Sequence, residues 1–204
     1  EFIGLAAETN LIRAAGTAAL YSAAVQAAND AAADLRAAGR TAPLLISVQV
    51  ETAWGGLTGG SYAGVEQDFR DFPFTDILGL SSYPYFAYAQ PESIPSNYYT
   101  RLLNGRTLPV MVVEGGWTSA SVGAVMSSPD IQVRYITRHA ELLDSVHASA
   151  VIQLLYADID LSSYPPPIPA NLPLFVSIGL TDSNFTAKAA LAAWDALHAR
   201  RLMP

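Results

Sequence analysis

The chain has 204 residues with an apolar fraction of 51 % and a charged fraction of 14 %, enough apolar material for a sizeable core in one domain. Its formal net charge of -7 and its lack of a lysine or arginine cluster argue against nucleic acid as a partner, because phosphates attract a basic surface. No apolar stretch reaches the roughly 18 to 20 residues of a membrane span, and the absence of cysteine excludes disulfides and thiolate nucleophiles.

Five apolar runs predict buried parallel strands. Such strands are apolar without alternation, because helices cover both faces of the sheet. The runs start about every 32 to 42 residues, close to the roughly 31 residues of one strand and helix unit in a (β/α)8 barrel with insertions. They cover residues 2–7, 44–50, 76–80, 109–113 and 150–156.

Helical segments are predicted between most of these strands. The first covers residues 14–38 and stops at Gly39, a residue that suits a helix C-terminus. The clearest begins at Ser128, a capping residue followed by a proline at the first helical position. A final helix is predicted over residues 186–201. Glycine- and proline-rich loops follow the second and third strands, at the edge where binding residues commonly lie.

The number of units predicts an incomplete barrel. A closed barrel needs eight strands, so residues 1–204 are expected to form a single incomplete TIM-barrel catalytic domain of the α/β class. Open parallel strands leave two unpaired edges, which invite pairing with another chain, and we expect a homodimer. The opening Glu1-Phe2 is what the cloning sequence GAATTC encodes, so we also expect a fragment whose export signal, if the protein is secreted, lies upstream.

Two glutamates end comparable strands. The run LPVMVVEGGWTS carries Glu114, and FIGLAAETN carries Glu8. Parallel α/β folds place their chemistry at this edge, and glycoside hydrolysis needs two carboxyl groups that flank the scissile bond. If the first strand is the fourth of a barrel, Glu114 ends the seventh, across the mouth, at a separation of about 5 to 5.5 Å that suits a retaining mechanism. A strand-end carboxylate that simply meets solvent is the alternative.

Five motifs that cover nearly the whole chain resemble strands four to eight of a clan A glycoside hydrolase, and are most similar to the endo-β-1,4-galactanase family and its relatives. The motifs are AAETN, DILGLSSYPYF, LPVMVVEGGWTS, VIQLLYADIDL and TDSNFTAKAALAAWDAL. The resemblance implies a retaining glycosidase that cleaves β-linked galactan or glucan, with Glu8 as acid/base and Glu114 as nucleophile. It also implies that Tyr83 donates a hydrogen bond to the nucleophile. We expect no cofactor and no metal.

Two features depart from that family. Ala7 stands where the clan usually has an asparagine that binds the sugar 2-hydroxyl, and the early strands that supply an arginine and often a histidine are not in this chain. A non-catalytic half-barrel that binds carbohydrate or supports assembly is therefore the alternative function.

Aromatic and polar residues near the strand ends are candidates for binding a carbohydrate. The indole rings of Trp54 and Trp117 could stack on sugar rings, with packing in a loop as the alternative. Gln49 and Glu51 alternate along the second strand and therefore point to one side, although Glu51 is equally readable as a solvated loop carboxylate. The expected substrate-binding residues are Trp117, Trp54, Tyr85, Gln49, Glu51 and Asn10.

We interpret the remaining aspartate pair and the three histidines as structural residues. Asp158 and Asp160 have a spacing that helps to hold a metal in sugar transferases, but without a nucleotide-binding glycine loop we favour loop capping. His139, His147 and His198 all fall within or at the end of predicted helices, which argues against serine-histidine catalysis.

Overall fold

A five-stranded parallel sheet forms the centre of the structure, a computed structural model that describes residues 1–200. The strands follow one another across the sheet in chain order and pair in parallel. They are β1 (Ile3–Ala6), β2 (Leu44–Gln49), β3 (Ile77–Ser82), β4 (Val110–Gly115) and β5 (Ala150–Val151). This order is that of consecutive units in a (β/α)8 barrel, so the predicted α/β class and partial barrel are confirmed.

Seven helices connect or flank the strands in residues 1–200. They are α1 (Thr9–Ala15), α2 (Ala18–Ala37), α3 (Val50–Ala53), α4 (Glu66–Asp71), α5 (Thr100–Leu103), α6 (Pro129–Ser145) and α7 (Ala189–His198). Short 3-10 turns occur at Pro84–Phe86, Pro91–Ser93, Leu161–Ser163 and Leu172–Leu174. No helix of the described chain combines the length and apolarity that crossing a bilayer requires.

The long helix predicted over residues 14–38 is two helices. Thr17 has an extended backbone, and its hydroxyl accepts a hydrogen bond from the Leu20 N–H at 3.1 Å. A threonine in this role starts a new helix, so α2 begins at Ala18, and α1 begins earlier than predicted, directly after Glu8.

The last two predicted elements are shorter in the structure. β5 ends at Val151, although the N–H groups of Ile152 and Leu154 still donate to carbonyls of β4 at 2.8 and 3.0 Å. The last helix begins at Ala189 because Thr186 belongs to a turn in which its N–H donates to the Asp182 carboxylate at 2.8 Å. Arg201, the predicted end of that helix, lies outside the described residues.

The two faces of the sheet have different chemistry. Leu44, Ile46 and Val48 of β2 are fully buried on the side that faces the helices, where Ile46 packs against Phe72. Because side chains alternate along a strand, Leu45, Ser47 and Gln49 face the barrel interior. Apolar residues fill the lower interior layer, and polar residues lie toward the carboxyl edge. The lower layer consists of Leu45, Ile77, Met111, Val113 and Ala150.

We predict that Leu80→Ala lowers the free energy of unfolding by about 2 to 5 kcal/mol, because removing a fully buried side chain leaves a cavity in the outer layer. Leu20→Ala is the control: Leu20 is 57 % exposed, so its substitution should change stability by less than about 0.5 kcal/mol. Urea unfolding of both variants checks this. Equal losses would contradict the assigned core.

Candidate active site

A bulge in β4 directs Glu114 into the barrel interior. Leu80 of β3 pairs with Val112, but the next residue, Ser81, pairs with Glu114, so β4 carries one extra residue, Val113. An extra residue changes the direction of the side chains that follow it. Val113 belongs to the interior apolar layer, and Glu114 also points inward instead of alternating away from it. The bulge thus places the carboxylate beside Ser81.

Glu8 lies two residues beyond β1 in a left-handed backbone conformation, with φ 48° and ψ 44°. This conformation is uncommon for a residue with a side chain. Its N–H donates to the Ser47 hydroxyl at 3.0 Å, and its carbonyl accepts from the N–H groups of Leu11 and Ile12 at 2.9 and 3.0 Å. The start of α1 and the neighbouring strand therefore hold the Glu8 backbone in place.

Ser81 brings the two glutamates together. Its hydroxyl donates to Glu8 Oε1 at 2.7 Å, and the same oxygen lies 3.4 Å from Glu114 Oε1. One hydroxyl has one proton to donate, so the shorter contact with Glu8 is the stronger one. Both predicted catalytic carboxylates thus lie at one point of the carboxyl edge.

The closest hydrogen-bond donor to Glu114 is Tyr83. Its hydroxyl donates to Glu114 Oε1 at 2.7 Å, and the residue is only 2 % exposed. Burial and the hydrogen bond to Glu114 raise the pKa of Tyr83 far above its ordinary value, so the phenol stays neutral and remains a donor. The resemblance implied this contact, and the structure contains it.

The environment of Glu8 favours its protonated form. Burial raises the pKa of Glu8, the negative charge of Glu114 raises it further, and only the hydrogen bond from Ser81 opposes them. Glu114 instead receives the Tyr83 hydroxyl, which stabilises negative charge on its oxygen. Glu8 is thus suited to hold a proton, while the Tyr83 hydroxyl holds Glu114 in place.

The two glutamates line a cleft of about 540 Å³, within the range of small-molecule sites. Gln49 and Tyr83 also line it, and most of the remaining wall is aliphatic or aromatic. Part of this wall comes from the loop between β5 and α7. The other lining residues are Leu11, Leu57, Phe86, Leu154, Leu155, Ile159, Asn171, Leu172, Leu174 and Phe175.

Asn10 connects α1 to β2 instead of facing the cleft. Its side-chain amide donates to the Gln49 carbonyl at 2.8 Å and its Oδ1 accepts from the Gln49 N–H at 2.7 Å. The residue is 2 % exposed, and this closed pair of bonds occupies the side-chain amide nitrogen and Oδ1. In this structure Asn10 therefore positions the end of β2.

Glu51 is buried behind the cleft wall. It is 0 % exposed and accepts a hydrogen bond from the Tyr98 hydroxyl at 2.7 Å and another from the Gln49 side-chain amide. Burial raises the pKa of Glu51 to about 7, against the hydrogen bonds donated to it. Glu51 is neither in contact with the cleft nor solvated, so both sequence-based interpretations of this residue are corrected.

The three predicted aromatic binding residues pack against protein. Trp117 is 1 % exposed and its indole N–H donates to the Ser127 hydroxyl at 3.1 Å. Tyr85 is 4 % exposed and its hydroxyl donates to the Leu174 carbonyl at 3.0 Å. The Trp54 N–H donates to the Tyr98 carbonyl at 2.9 Å. None of the three lines the cleft, so in the described residues they are packing residues.

The sequence analysis missed Ser81 and the aromatic wall of the cleft. Ser81 and Ser82 are polar residues inside an otherwise apolar strand and are both fully buried, which is a readable signal for a site. Phe175 gave no such signal, because it lies 61 residues beyond Glu114 in a loop that only the tertiary fold brings to the cleft.

The Asp158 and Asp160 pair is engaged by protein. The Lys188 ammonium group lies 2.6 Å from the Asp158 carboxylate, and the Gly179 N–H donates to it at 2.9 Å. Asp160 caps the turn at Ser162. Within residues 1–200 no group of three or more acidic or histidine side chains could hold a metal ion. His139 is buried, which lowers its pKa to about 3.

Comparison with solved structures finds the same fold in two β-glucuronidases and a β-1,3-glucanosyltransferase. A β-D-glucuronidase of Dictyoglomus thermophilum matches with a TM-score of 0.61 and 12 % identity over 89 % of this chain and 30 % of its own. An uncultured Clostridium sp. β-glucuronidase matches with a TM-score of 0.57 and 15 % identity, over 83 % of this chain and 28 % of its own. An active-site mutant of a Rhizomucor miehei β-1,3-glucanosyltransferase in complex with laminaritriose matches with a TM-score of 0.55 and 12 % identity, over 88 % of this chain and 59 % of its own.

These matches show the fold: part of a TIM barrel of the kind found in glycoside hydrolases. The chain spans about 30 % of the length of the two glucuronidases. No family model and no curated protein matches the sequence, so the expected galactanase family is not confirmed.

The buried Glu51 predicts a specific pH dependence of stability. Folding raises the pKa of Glu51 from 4.5 to about 7. Its contribution to the free energy of unfolding is therefore fully present below pH 4.5 and is lost as pH rises through 7. Glu51→Gln has no such ionisation. Between pH 5 and pH 8 the free energy of unfolding of the parent, measured with urea, should fall by about 2 to 3 kcal/mol more than that of Glu51→Gln. Glu141→Gln, at a 60 % exposed side chain, should follow the parent, and parallel curves for all three proteins would contradict the assignment.

Proposed function

We propose that the protein is a retaining glycoside hydrolase that cleaves β-linked sugars by double displacement, with Glu8 as the acid/base and Glu114 as the nucleophile. The observation that carries the proposal is the pair of carboxylates that meet at Ser81 beside a cleft. The glycoside hydrolase barrel to which the fold is similar supports it, because such barrels place their chemistry at this edge.

The separation of the carboxylates supports a retaining mechanism. Glu8 Oε1 and Glu114 Oε1 both lie near Ser81 Oγ, so these two oxygens are at most about 6 Å apart, below the ~6.5 to 9.5 Å of inverting enzymes. An inverting enzyme needs that greater space for a water molecule between the carboxylate and the sugar. Direct attack by a carboxylate is the reaction that the shorter spacing favours.

The different environments of the two glutamates support these roles. Glu114 attacks the anomeric carbon while Glu8, whose pKa is raised by burial, donates its proton to the departing glycosidic oxygen. A covalent glycosyl ester on Glu114 and a free alcohol result. Glu8, now ionised, removes a proton from water, which attacks the same carbon and releases Glu114. Glu8 regains its proton in that step, so the cycle closes.

Tyr83 fixes the orientation of the nucleophile. Its hydroxyl donates to Glu114 Oε1 at 2.7 Å, and the Ser81 hydroxyl, which donates to Glu8, lies 3.4 Å from the same oxygen, so Oε2 is the oxygen for attack. Because the Tyr83 phenol stays neutral, it can hold the Glu114 carboxylate in place without adding a further charge to the site. This assignment follows the role that the family resemblance implies for Tyr83.

The chemistry of the cleft favours a neutral sugar. The charged side chains that line it are Glu8 and Glu114, so an anionic sugar would meet like charge. Phe86 and Phe175 provide aromatic surface against which the apolar faces of a sugar can pack. The substrate class that fits is an uncharged β-linked glucan or galactan.

A carbohydrate-binding half-barrel without turnover is the second candidate. The observation that favours it is the pair of strands β1 and β5, each of which pairs on one side only within the described chain. Ile152, Leu154 and Tyr156 beside β5 are between 38 % and 58 % exposed. Such edges suit pairing with another chain, and the expected homodimer remains a proposal. Calorimetric binding of an oligosaccharide without hydrolysis would favour this candidate.

We predict that replacing either carboxylate separates the two roles. Glu114→Gln should lower kcat on all aryl β-glycosides by at least about 10⁴-fold, because no covalent intermediate can form. Glu8→Gln should lower kcat by about 10²- to 10⁴-fold on alkyl glycosides. With a dinitrophenyl leaving group, which departs without protonation, Glu8→Gln should still release an initial burst of phenol.

Glu141→Gln is the control for this pair, since its side chain lies on the exposed surface of α6, and it should keep the parental rate. Full activity in Glu114→Gln, or a folded parent that hydrolyses nothing, would contradict the proposed function.

We predict that the enzyme prefers neutral to anionic sugars. With matched nitrophenyl β-glycosides, kcat/KM for a glucoside or galactoside should exceed that for the glucuronide by at least about tenfold, because the glucuronate carboxylate adds a negative charge beside that of Glu114. Raising the salt concentration should narrow the difference by screening. A preference for the glucuronide would contradict the substrate assignment.

A further inference from the structure

Glu51 is a buried carboxyl group that the proposed reaction does not use. It lies in α3, just beyond β2, and is 0 % exposed. No salt bridge to Glu51 forms within residues 1–200. A buried carboxylate without a cation is costly unless several donors satisfy it, so the partners of Glu51 are informative.

The donors to Glu51 come from three segments. Tyr98 donates its hydroxyl to Oε1 at 2.7 Å, and the Gln49 amide nitrogen donates to Oε2. The Tyr83 backbone N–H lies near enough to the carboxylate to lower the pKa of Glu51. The Ser82 hydroxyl is a weaker partner at 3.4 Å. Gln49 and Tyr83 both line the cleft, and the Tyr83 hydroxyl holds Glu114. One buried carboxylate is therefore hydrogen-bonded to one residue of the cleft wall, Gln49, and adjacent to the backbone of a second, Tyr83.

We propose that Glu51 is a positioning residue: its carboxylate fixes the Tyr83 backbone, and thereby the hydroxyl on Glu114, and at the same time fixes the Gln49 amide at the cleft wall. Its effect on turnover rests on the function proposed above, whereas its effect on the position of Tyr83 does not. Glu51 itself is too buried to touch a substrate.

The ionised form of Glu51 is the one that can accept all of these bonds. A protonated carboxyl group carries its own donor, which would face Tyr98 or Gln49 and displace one of them. The titratable groups around Glu51 are phenols with raised pKa values, which stay neutral. His139, whose pKa burial lowers to about 3, packs against two of these rings, Tyr99 and Tyr135. The phenols are Tyr85, Tyr88, Tyr98, Tyr99 and Tyr135.

The first experiment measures the position of Tyr83 without requiring activity. The Tyr83 hydroxyl proton, which is buried and bonded to Glu114, is observed by NMR in the parent and assigned with Tyr83→Phe. In the parent its chemical shift should step as pH passes through the ionisation of Glu51. In Glu51→Gln the step should vanish, and the proton should exchange at least about tenfold faster. An unchanged signal and exchange rate in Glu51→Gln would overturn the proposal.

Two tyrosine variants keep the test valid if Glu51→Gln does not fold. Tyr98→Phe removes a donor to Glu51 but keeps its charge, so the chemical-shift step should move to higher pH, because fewer bonds favour the ionised form. Tyr99→Phe is the matched control: Tyr99 is equally buried and donates to Ser82 at 3.0 Å, and it should leave the step in place. Identical behaviour of the two variants would contradict the proposal.

Turnover provides the second readout. With an aryl β-glycoside that the parent hydrolyses, Glu51→Gln should lower kcat by about 10- to 100-fold with KM within about threefold, as expected for a small displacement of the reacting groups. In the parent, kcat should rise with pH as Glu51 ionises, and this rise should be absent in Glu51→Gln. Tyr99→Phe should keep both the parental kcat and its rise with pH. A parent without hydrolysis but with the predicted NMR behaviour would reject the proposed function and leave the positioning role standing. Parental kcat and pH profile in Glu51→Gln would overturn its role in turnover.

Discussion

The candidate site depends on one extra residue in β4. The strand alternates normally through Val112, and the additional Val113 then turns Glu114 to the side on which Ser81 lies. Without this bulge, regular alternation would direct the carboxylate toward the helices, the side on which Val112 is fully buried. The pairing of Glu114 with Glu8, its hydrogen bond from Tyr83 and its place in the cleft all follow from this local change of register.

The protein holds an unusually polar layer inside its core. Ser47, Gln49, Ser81 and Ser82 are all at most 3 % exposed, and Glu51 is fully buried. Each polar group must find a partner there: Ser81 donates to Glu8, Tyr83 donates to Glu114, and both Gln49 and Tyr98 donate to Glu51. The apolar side chains of the core pack the sheet against the helices, while these buried hydrogen bonds fix the direction of the carboxylates. Such division of labour suits a site that needs fixed geometry.

The sequence predicted the strands and the two glutamates because both depend on local signals. Unbroken apolar runs mark buried parallel strands, and the glutamates follow them directly. The sequence did not predict the bulge at Val113, since a bulge changes pairing and not composition. It also predicted that Trp117 binds substrate, because a tryptophan after a strand end fits either a binding or a packing role. The structure favours packing, since the ring centroids of Trp117 and Tyr135 are 5.3 Å apart. Glu51 was misread for the same reason, as burial depends on residues distant in the chain.

The central claim is that Glu114 becomes covalently bonded to the sugar. A dinitrophenyl 2-deoxy-2-fluoro-β-glycoside, whose fluorine slows the second displacement, should trap that ester, and peptide mass spectrometry should locate the label. The account predicts a single label on Glu114 that is lost in Glu114→Gln and retained in Glu8→Gln, because this leaving group needs no proton. A label on another residue, or a folded parent that releases dinitrophenol without any label, would contradict it.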